Sequence, residues 1–348
     1  MSTDPPATSA APGGPGQGDP APVGGSAPSA PPAGPPPAAP LPVRVAGRTP
    51  LARFWANPGV RVAVVLLALV GVAAAVGPLL LPAGYEYPTP VQLSPPSRAH
   101  WLGTDINGRD LLCRVLLGAR VSLVVGLAGA LVSFFIGTGY GLVAGYAGGR
   151  VDGFMMRAVD VIYSVPRLIF IIILINVVEG RFHGWLQGLV GGSDSAAVRA
   201  LPGYSKTLIL IITLGLVEWL TMARVVRGQV LVLKNMQFVT AARSLGQSHA
   251  KILLRHLLPN LTGIIAVYLT LTIPAVILDE SVLSYLGLGV DASQSSWGTL
   301  LSDGAQAINP IKSSWWLLVF PAAVMSATLL ALNFLGDGLR DALDPRSK

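Results

Sequence analysis

Six stretches of the chain are apolar over nearly the length of a bilayer, with polar clusters between them. Residues 62–81 are uncharged and are guarded by Arg61; residues 121–149 are uncharged throughout. Residues 161–178 are apolar apart from Arg167, and 207–223 apart from Glu218. Residues 261–278 run clean into Asp279 and Glu280, and 315–336 open on a Trp pair suited to a membrane interface. About 20 apolar residues cross hydrocarbon as a helix. The pattern predicts an all-α polytopic membrane protein with six transmembrane helices, the shorter runs extending into their flanks.

Between the fourth and fifth runs lies TAARSLGQSHAKILLRHLLPN, residues 240–260, short and basic. Asn235 is placed to cap a first helix through Phe238, Ala241, Ala242 and Leu245. Gly246 suits the left-handed residue that ends it. Ser248 caps a second helix with Ile252, Leu253, Leu257 and Leu258 on its apolar side, and Pro259 stops that helix or starts the next. The whole predicts a helical hook along the membrane surface, its small alanines turned outward for close approach. A partnerless interfacial helix is the plainer alternative. A DNA-binding helix-turn-helix is excluded, because apolar spans flank the hook within a few residues.

Composition agrees with the spans. Of 348 residues 52% are apolar and only 12% charged, against about a quarter charged in soluble domains. The net charge of +7 is spread over loops, which points to orientation in a membrane and lipid contact rather than to nucleic acid. Lys and Arg are more frequent on the side that holds the N-terminus and the hook, so both termini are expected in the cytoplasm. Cys113 stands alone, so neither an internal disulfide nor a Cys-based metal site is available. His100, His183, His249 and His256 are scattered and give a metal site little support. Residues 1–43 are mostly Pro, Ala, Gly and Ser, without a basic residue; they are expected to be a disordered tail and not a signal peptide. Residues 44–90 then hold the first span and its flanks, and 91–348 a core of five spans with the loop at 235–260.

Several residues invite two readings. Gly137, Gly141 and Gly145 form a small-residue ridge, for packing inside the bundle or against another subunit. Pro274 is placed to kink span five. Asp105, Arg109 and Asp110 fit an outer-face contact or the anchoring of a surface helix. Glu280 fits a pathway carboxylate or a solvated helix end. Arg167 lies about eight residues, roughly 12 Å, inside span three, and Glu218 roughly 9–14 Å inside span four. Intramembrane charges are costly and usually face the bundle in pairs. An Arg167–Glu218 ion pair is one reading; the other has Arg167 snorkelling to headgroups and Glu218 bonded to water.

The block at 223–260 resembles the signature loop of ATP-binding-cassette importer permeases, with Ala241, Ala242, Gly246, Leu258 and Pro259 matching. HWLGTDINGRDLLCRVLLGARVSL (100–123), VDGFMMRAVDVIYSVP (151–166) and LDESVLSYLGLGV (278–290) resemble further blocks of the dipeptide and oligopeptide permeases, in the right order. The likeness covers roughly residues 53–345 and is closest to the second permease subunit of such systems. It implies a multi-pass subunit of the cytoplasmic membrane that imports di- or oligopeptides, with nickel or another small solute as the alternative. A stand-alone channel or secondary transporter is the competitor from another class. The implied partners are a homologous permease, two cytoplasmic ATPases and an extracytoplasmic peptide-binding protein. Thr240, Ala241, Ala242, Arg243, Ser244, Leu245 and Gly246 would couple to an ATPase. The family often has Glu where this chain has Thr240, so that one charged contact does not carry over. No Gly-x4-Gly-Lys-Ser/Thr loop occurs in the chain. ATP and Mg are therefore expected in the ATPases, with no cofactor and no enzyme activity here.

Overall fold

The computed structural model describes residues 49–80, 87–190, 204–290, 294–308 and 313–343. The tail at 1–43 lies outside the described residues. Helix α1 (Pro50–Ala56) is capped by Thr49, whose side chain accepts from Ala52 N, and leads into α2 (Pro58–Leu80). After a long loop come α3 (Leu111–Ala147), α4 (Gly149–Tyr163), α5 (Arg167–Val190) and α6 (Ser205–Leu233). The hook follows as α7 (Gln237–Ser244) and α8 (His249–Ile252). A π turn at Leu253–Leu257 joins α8 to α9 (Leu258–Tyr285). Helices α10 (Trp297–Ala307) and α11 (Trp316–Leu343) complete the order.

Among the described residues, five helices are long and apolar enough to cross a membrane: α2, α3, α6, the continuous His249–Tyr285 and α11. A sixth span arises if the bent pair α4 and α5, turned by 91°, is counted as one. The third span thus departs from the expected 161–178. Residues to Tyr163 end α4, and α5 begins only at Arg167. The cause is Pro166, because a residue before proline avoids the helical region. Ser164 closes the turn by donating to Val161 O at 2.6 Å. Arg167 therefore opens its helix instead of lying eight residues inside it.

Other spans outrun their apolar stretches, α3 and α6 among them. Helix α3 starts at Leu111, with Asp110 accepting from Cys113 N at 3.1 Å as its cap. It can include Arg114 because Asp105 and Asp303 neutralise that side chain, at 2.8 and 2.9 Å. Helix α6 runs on to Leu233, so Glu218 lies roughly 22 Å from that end, deeper than the apolar run implied. Positive φ at Gly148 and Gly149 (66° and 53°) turns the chain from α3 into α4.

Helices α3 and α6 run parallel and pack along the glycine ridge. A Cβ on Gly137 would stand 2.6 Å from Met222 Cβ, on Gly141 2.5 Å from Ala223 O, and on Gly145 2.8 Å from Val230 Cβ. The ridge is thus an intrachain contact in which backbone meets backbone, as small residues allow without a hydrophobic drive. Three apolar clusters surround it. Leu111, Trp297 and Trp316 join α3, α10 and α11; Ile171, Ile209 and Leu214 join α5 and α6; Val226, Val239 and Ile252 bind the hook to α6.

This packing separates neighbouring glycines. Gly141→Ala drives a methyl into a carbonyl, and overpacking of this kind costs about 1–3 kcal/mol. Nothing lies within 4 Å of a Cβ on Gly139. Thermal unfolding of the detergent-solubilised protein should show a lower melting temperature for Gly141→Ala and none for Gly139→Ala. Equal shifts would place the α3–α6 contact elsewhere.

Candidate functional site

The hook is built from a short helix with a defined end. Gly246 has φ 72°, Gly246 N donates to Arg243 O at 2.9 Å, and Gln247 N donates to Ala242 O at 3.2 Å. This pair of bonds is the Schellman closure, which needs a residue without a Cβ penalty. Nothing lies within 4 Å of a Cβ on Gly246, so conformation rather than crowding sets the demand for glycine there. Ser248 caps α8 by accepting from Lys251 N. Asn235 does not cap α7, contrary to the sequence reading. Helix α6 runs to Leu233, and Asn235 Nδ2 donates back to Leu231 O at 3.2 Å. Pro259 does not stop the second helix of the hook but stands in the first turn of α9, the other alternative of the sequence reading, and the π turn ahead of it carries the helix through.

The faces of α7 also differ from expectation. Ala242 is buried with Val239 against α6, so only Ala241 of the alanine pair faces out. Phe238 (39% exposed), Ala241 and Leu245 (79% exposed) line one exposed side, at the spacing of a helix face. Thr240, Arg243 and Ser244 flank it, also exposed. Polar contacts tie the hook to the ends of α3 and α6. Lys234 Nζ donates to Gly145 O at 2.8 Å, Arg243 lies over the Tyr146 ring at 5.2 Å, and the Tyr146 hydroxyl meets His249 Nδ1 at 2.8 Å.

Deeper in the bundle, Arg167 Nη2 contacts both Glu218 Oε1 and Asp279 Oδ2. Three helices, α5, α6 and α9, meet at this one guanidinium. Asp279 stands just past the apolar run of span five. It lies inside α9 because that helix runs on to Tyr285. The cluster continues along α6 at every third residue, a row that winds around the helix. Thr221 bonds Tyr163 at 2.7 Å, Arg224 pairs with Asp160 at 2.8 Å, and Arg227 grips Asp152 at 2.5 and 2.7 Å. The sequence reading gives Arg224 and Arg227 no part beyond the general Lys and Arg bias. Their threefold spacing with Glu218 and Thr221 was the signal available.

The remaining candidates have moved from surface to interior. Asp105 is 1% exposed and accepts from the backbone N–H groups of Asn107 and Arg109 and from Arg114. Asp110 is buried under His100, at 2.9 Å, and caps α3. Neither offers an outer-face contact, because both order the loop that precedes α3. Glu280 is not a solvated helix end. It is fully buried, and Ser122, Ser281 and Ser284 donate hydroxyl hydrogens to it at 3.1, 3.4 and 2.6 Å.

Comparison with known proteins finds relatives along most of the chain. Residues 137–348 match the family described as binding-protein-dependent transport system inner membrane component. The chain is 41% identical over 300 residues to the oligopeptide transport system permease protein OppC of Haemophilus influenzae, covering 85% of this chain and 87% of that one. It is 42% identical over 282 residues to the dipeptide transport system permease protein DppC of Bacillus subtilis, covering 81% and 80%. It is 41% identical over 299 residues to OppC of Escherichia coli, covering 85% and 90%.

The three-membered charge cluster makes a prediction that a two-membered pair would not. Arg167→Met leaves two carboxylates facing each other. Breaking a buried pair costs about 3–5 kcal/mol, and the 42% exposure of the Arg167 side chain lowers the expectation to about 1–3 kcal/mol. Adding Glu218→Gln alone leaves Asp279 unmatched and should recover only part of the loss. The triple change Arg167→Met/Glu218→Gln/Asp279→Asn should recover most of it. Thermal unfolding in one detergent checks the order; a triple variant no better than Arg167→Met would contradict it.

Proposed function

The chain belongs to the binding-protein-dependent transport system inner membrane component family, and from that premise we propose that it carries di- or oligopeptides inward across the cytoplasmic membrane. The names of its relatives, oligopeptide and dipeptide permeases, support the substrate class. Its partners in this reading are a homologous permease, two cytoplasmic ATPases that hold ATP and Mg, and an extracytoplasmic peptide-binding protein. Both termini and the hook lie in the cytoplasm.

The observation that carries the reading is the exposed Phe238–Ala241–Leu245 side of α7 on a hook that is continuous with a span. An ATPase groove takes that apolar side. ATP binding draws the two ATPases together, and the hook follows as a rigid body. The π turn passes the motion into α9, and the Lys234 and Arg243 contacts pass it into α6 and α3. The charge cluster then holds α5 to α6 and α9 as they move. Differential contact of the ATPases in their two states supplies the driving free energy.

Reconstitution of the complete complex in proteoliposomes tests this. ATP-dependent accumulation of a labelled dipeptide or tripeptide is expected, and its absence with every peptide tried would overturn the substrate assignment. Leu245→Asp is the companion test of the hook. Losing one buried leucine costs about 1.5–3 kcal/mol, roughly 10- to 100-fold in ATPase affinity. Co-purification of the ATPases at the wild-type level would show that they dock elsewhere.

A further inference from the structure

A second site lies at the end of the bundle opposite the hook. A cavity of about 680 Å³ opens there between the starts of α3 and α6, a volume within the range of small-molecule sites. Three arginines reach it: Arg109, Arg114 and Arg120. Arg114 is already satisfied, because Asp105 and Asp303 share its Nη1 and Ser295 accepts from its Nε at 3.2 Å. The other two are not. Arg109 Nε is buried without a hydrogen-bond partner. Arg120 is exposed, and among the described residues no carboxylate pairs with either one.

A buried guanidinium N–H without an acceptor is costly, so such a group calls for a ligand. The chemistry that fits is an anionic oxygen pair, since a guanidinium fork matches a carboxylate or phosphate. The rest of the lining narrows the choice. Val121 and Val124 supply an apolar floor, and Tyr87 and Tyr204 stand 70% and 54% exposed at the rim. An inorganic ion has no use for such a floor, whereas a small organic acid does. From Arg120 the exposed side of α3 continues through Val124, Leu127, Leu131 and Phe135 toward the hook end.

We propose that this cavity receives the C-terminal carboxylate of the incoming peptide, held by Arg109 and Arg120, with the last side chain on Val121 and Val124. The proposal rests on the peptide-importer reading above and adds a substrate subsite within this subunit. Arg114, locked by its two aspartates, is a positioning residue that holds the loop carrying Arg109.

The test uses the complete complex in nanodiscs without the binding protein. Saturation-transfer NMR compares bound alanyl-alanine with alanyl-alanine amide, which lacks the carboxylate. Loss of a charge-assisted hydrogen bond implies at least about ten-fold weaker binding of the amide. Arg109→Gln/Arg120→Gln should reduce the acid to the level of the amide, and Arg120→Lys, which keeps the charge without the fork, should give a signal between the two. Equal signals for acid and amide, no signal from either, or an unchanged double variant would overturn the proposal. Should the double variant fail to elute as the wild type does, the acid-versus-amide comparison on the wild type decides. Native mass spectrometry of the same samples covers the other anionic source. A phospholipid held by the wild type and lost from the double variant, with no peptide signal, assigns the arginines to a headgroup and overturns the proposal. Proteoliposome uptake separates the two claims. Failure of the wild type to transport any peptide removes both, whereas ATP-driven uptake without an acid–amide difference removes only the subsite.

Discussion

A charge within hydrocarbon has to be matched inside the protein, and this constraint organises the bundle. Arg167 matches Glu218 and Asp279, so α5 cannot part from α6 and α9 without exposing a carboxylate to apolar surroundings. Arg114 matches Asp105 and Asp303, which ties the loop before α3 to α10. Asp152 and Arg227 fasten α4 to α6. Glu280 is accommodated without a cation, by serine hydroxyls from α3 and its own helix. Each link joins elements that carry lipid-like side chains elsewhere and gain little from burying them against one another.

Glycine completes what the charges begin. Lipid tails are as apolar as leucine, so contact between spans depends on close van der Waals approach. The ridge of Gly137, Gly141 and Gly145 brings the backbone of α3 against that of α6. The same two helices end at the hook, where Gly145 O accepts from Lys234 and Tyr146 lies under Arg243. The hook is thus mounted on a contact in which backbone approaches backbone. A push on α7 reaches a unit already locked by backbone packing and by charge.

Much of this was legible in the sequence because it is local. Apolar length places the spans, Gly246 ends α7, and Ser248 caps α8. What was not legible depends on partners remote in the chain. Helix α3 starts ahead of its apolar run because Asp303, far along the sequence, neutralises Arg114. Asp279 and Glu280 looked like the polar end of a span, since nothing local shows that Arg167 and Ser122 await them inside. Asn235 looked like a cap because the extent of α6 is set by packing of Val226 and Val230 rather than by propensity. Ala242 faces inward because Val239 and Ile252 define the buried side of the hook, which its own alternation leaves undecided.

The central claim is that hook and core move together. Spin labels at Ser244 on the hook and at Val282 on α9, both exposed, measure it directly by pulsed electron resonance in the reconstituted complex. The same Ser244–Val282 distance is expected with and without ATP. A change within this chain of a helical turn, about 5 Å, would mean that the hook swings on its own and would contradict the account.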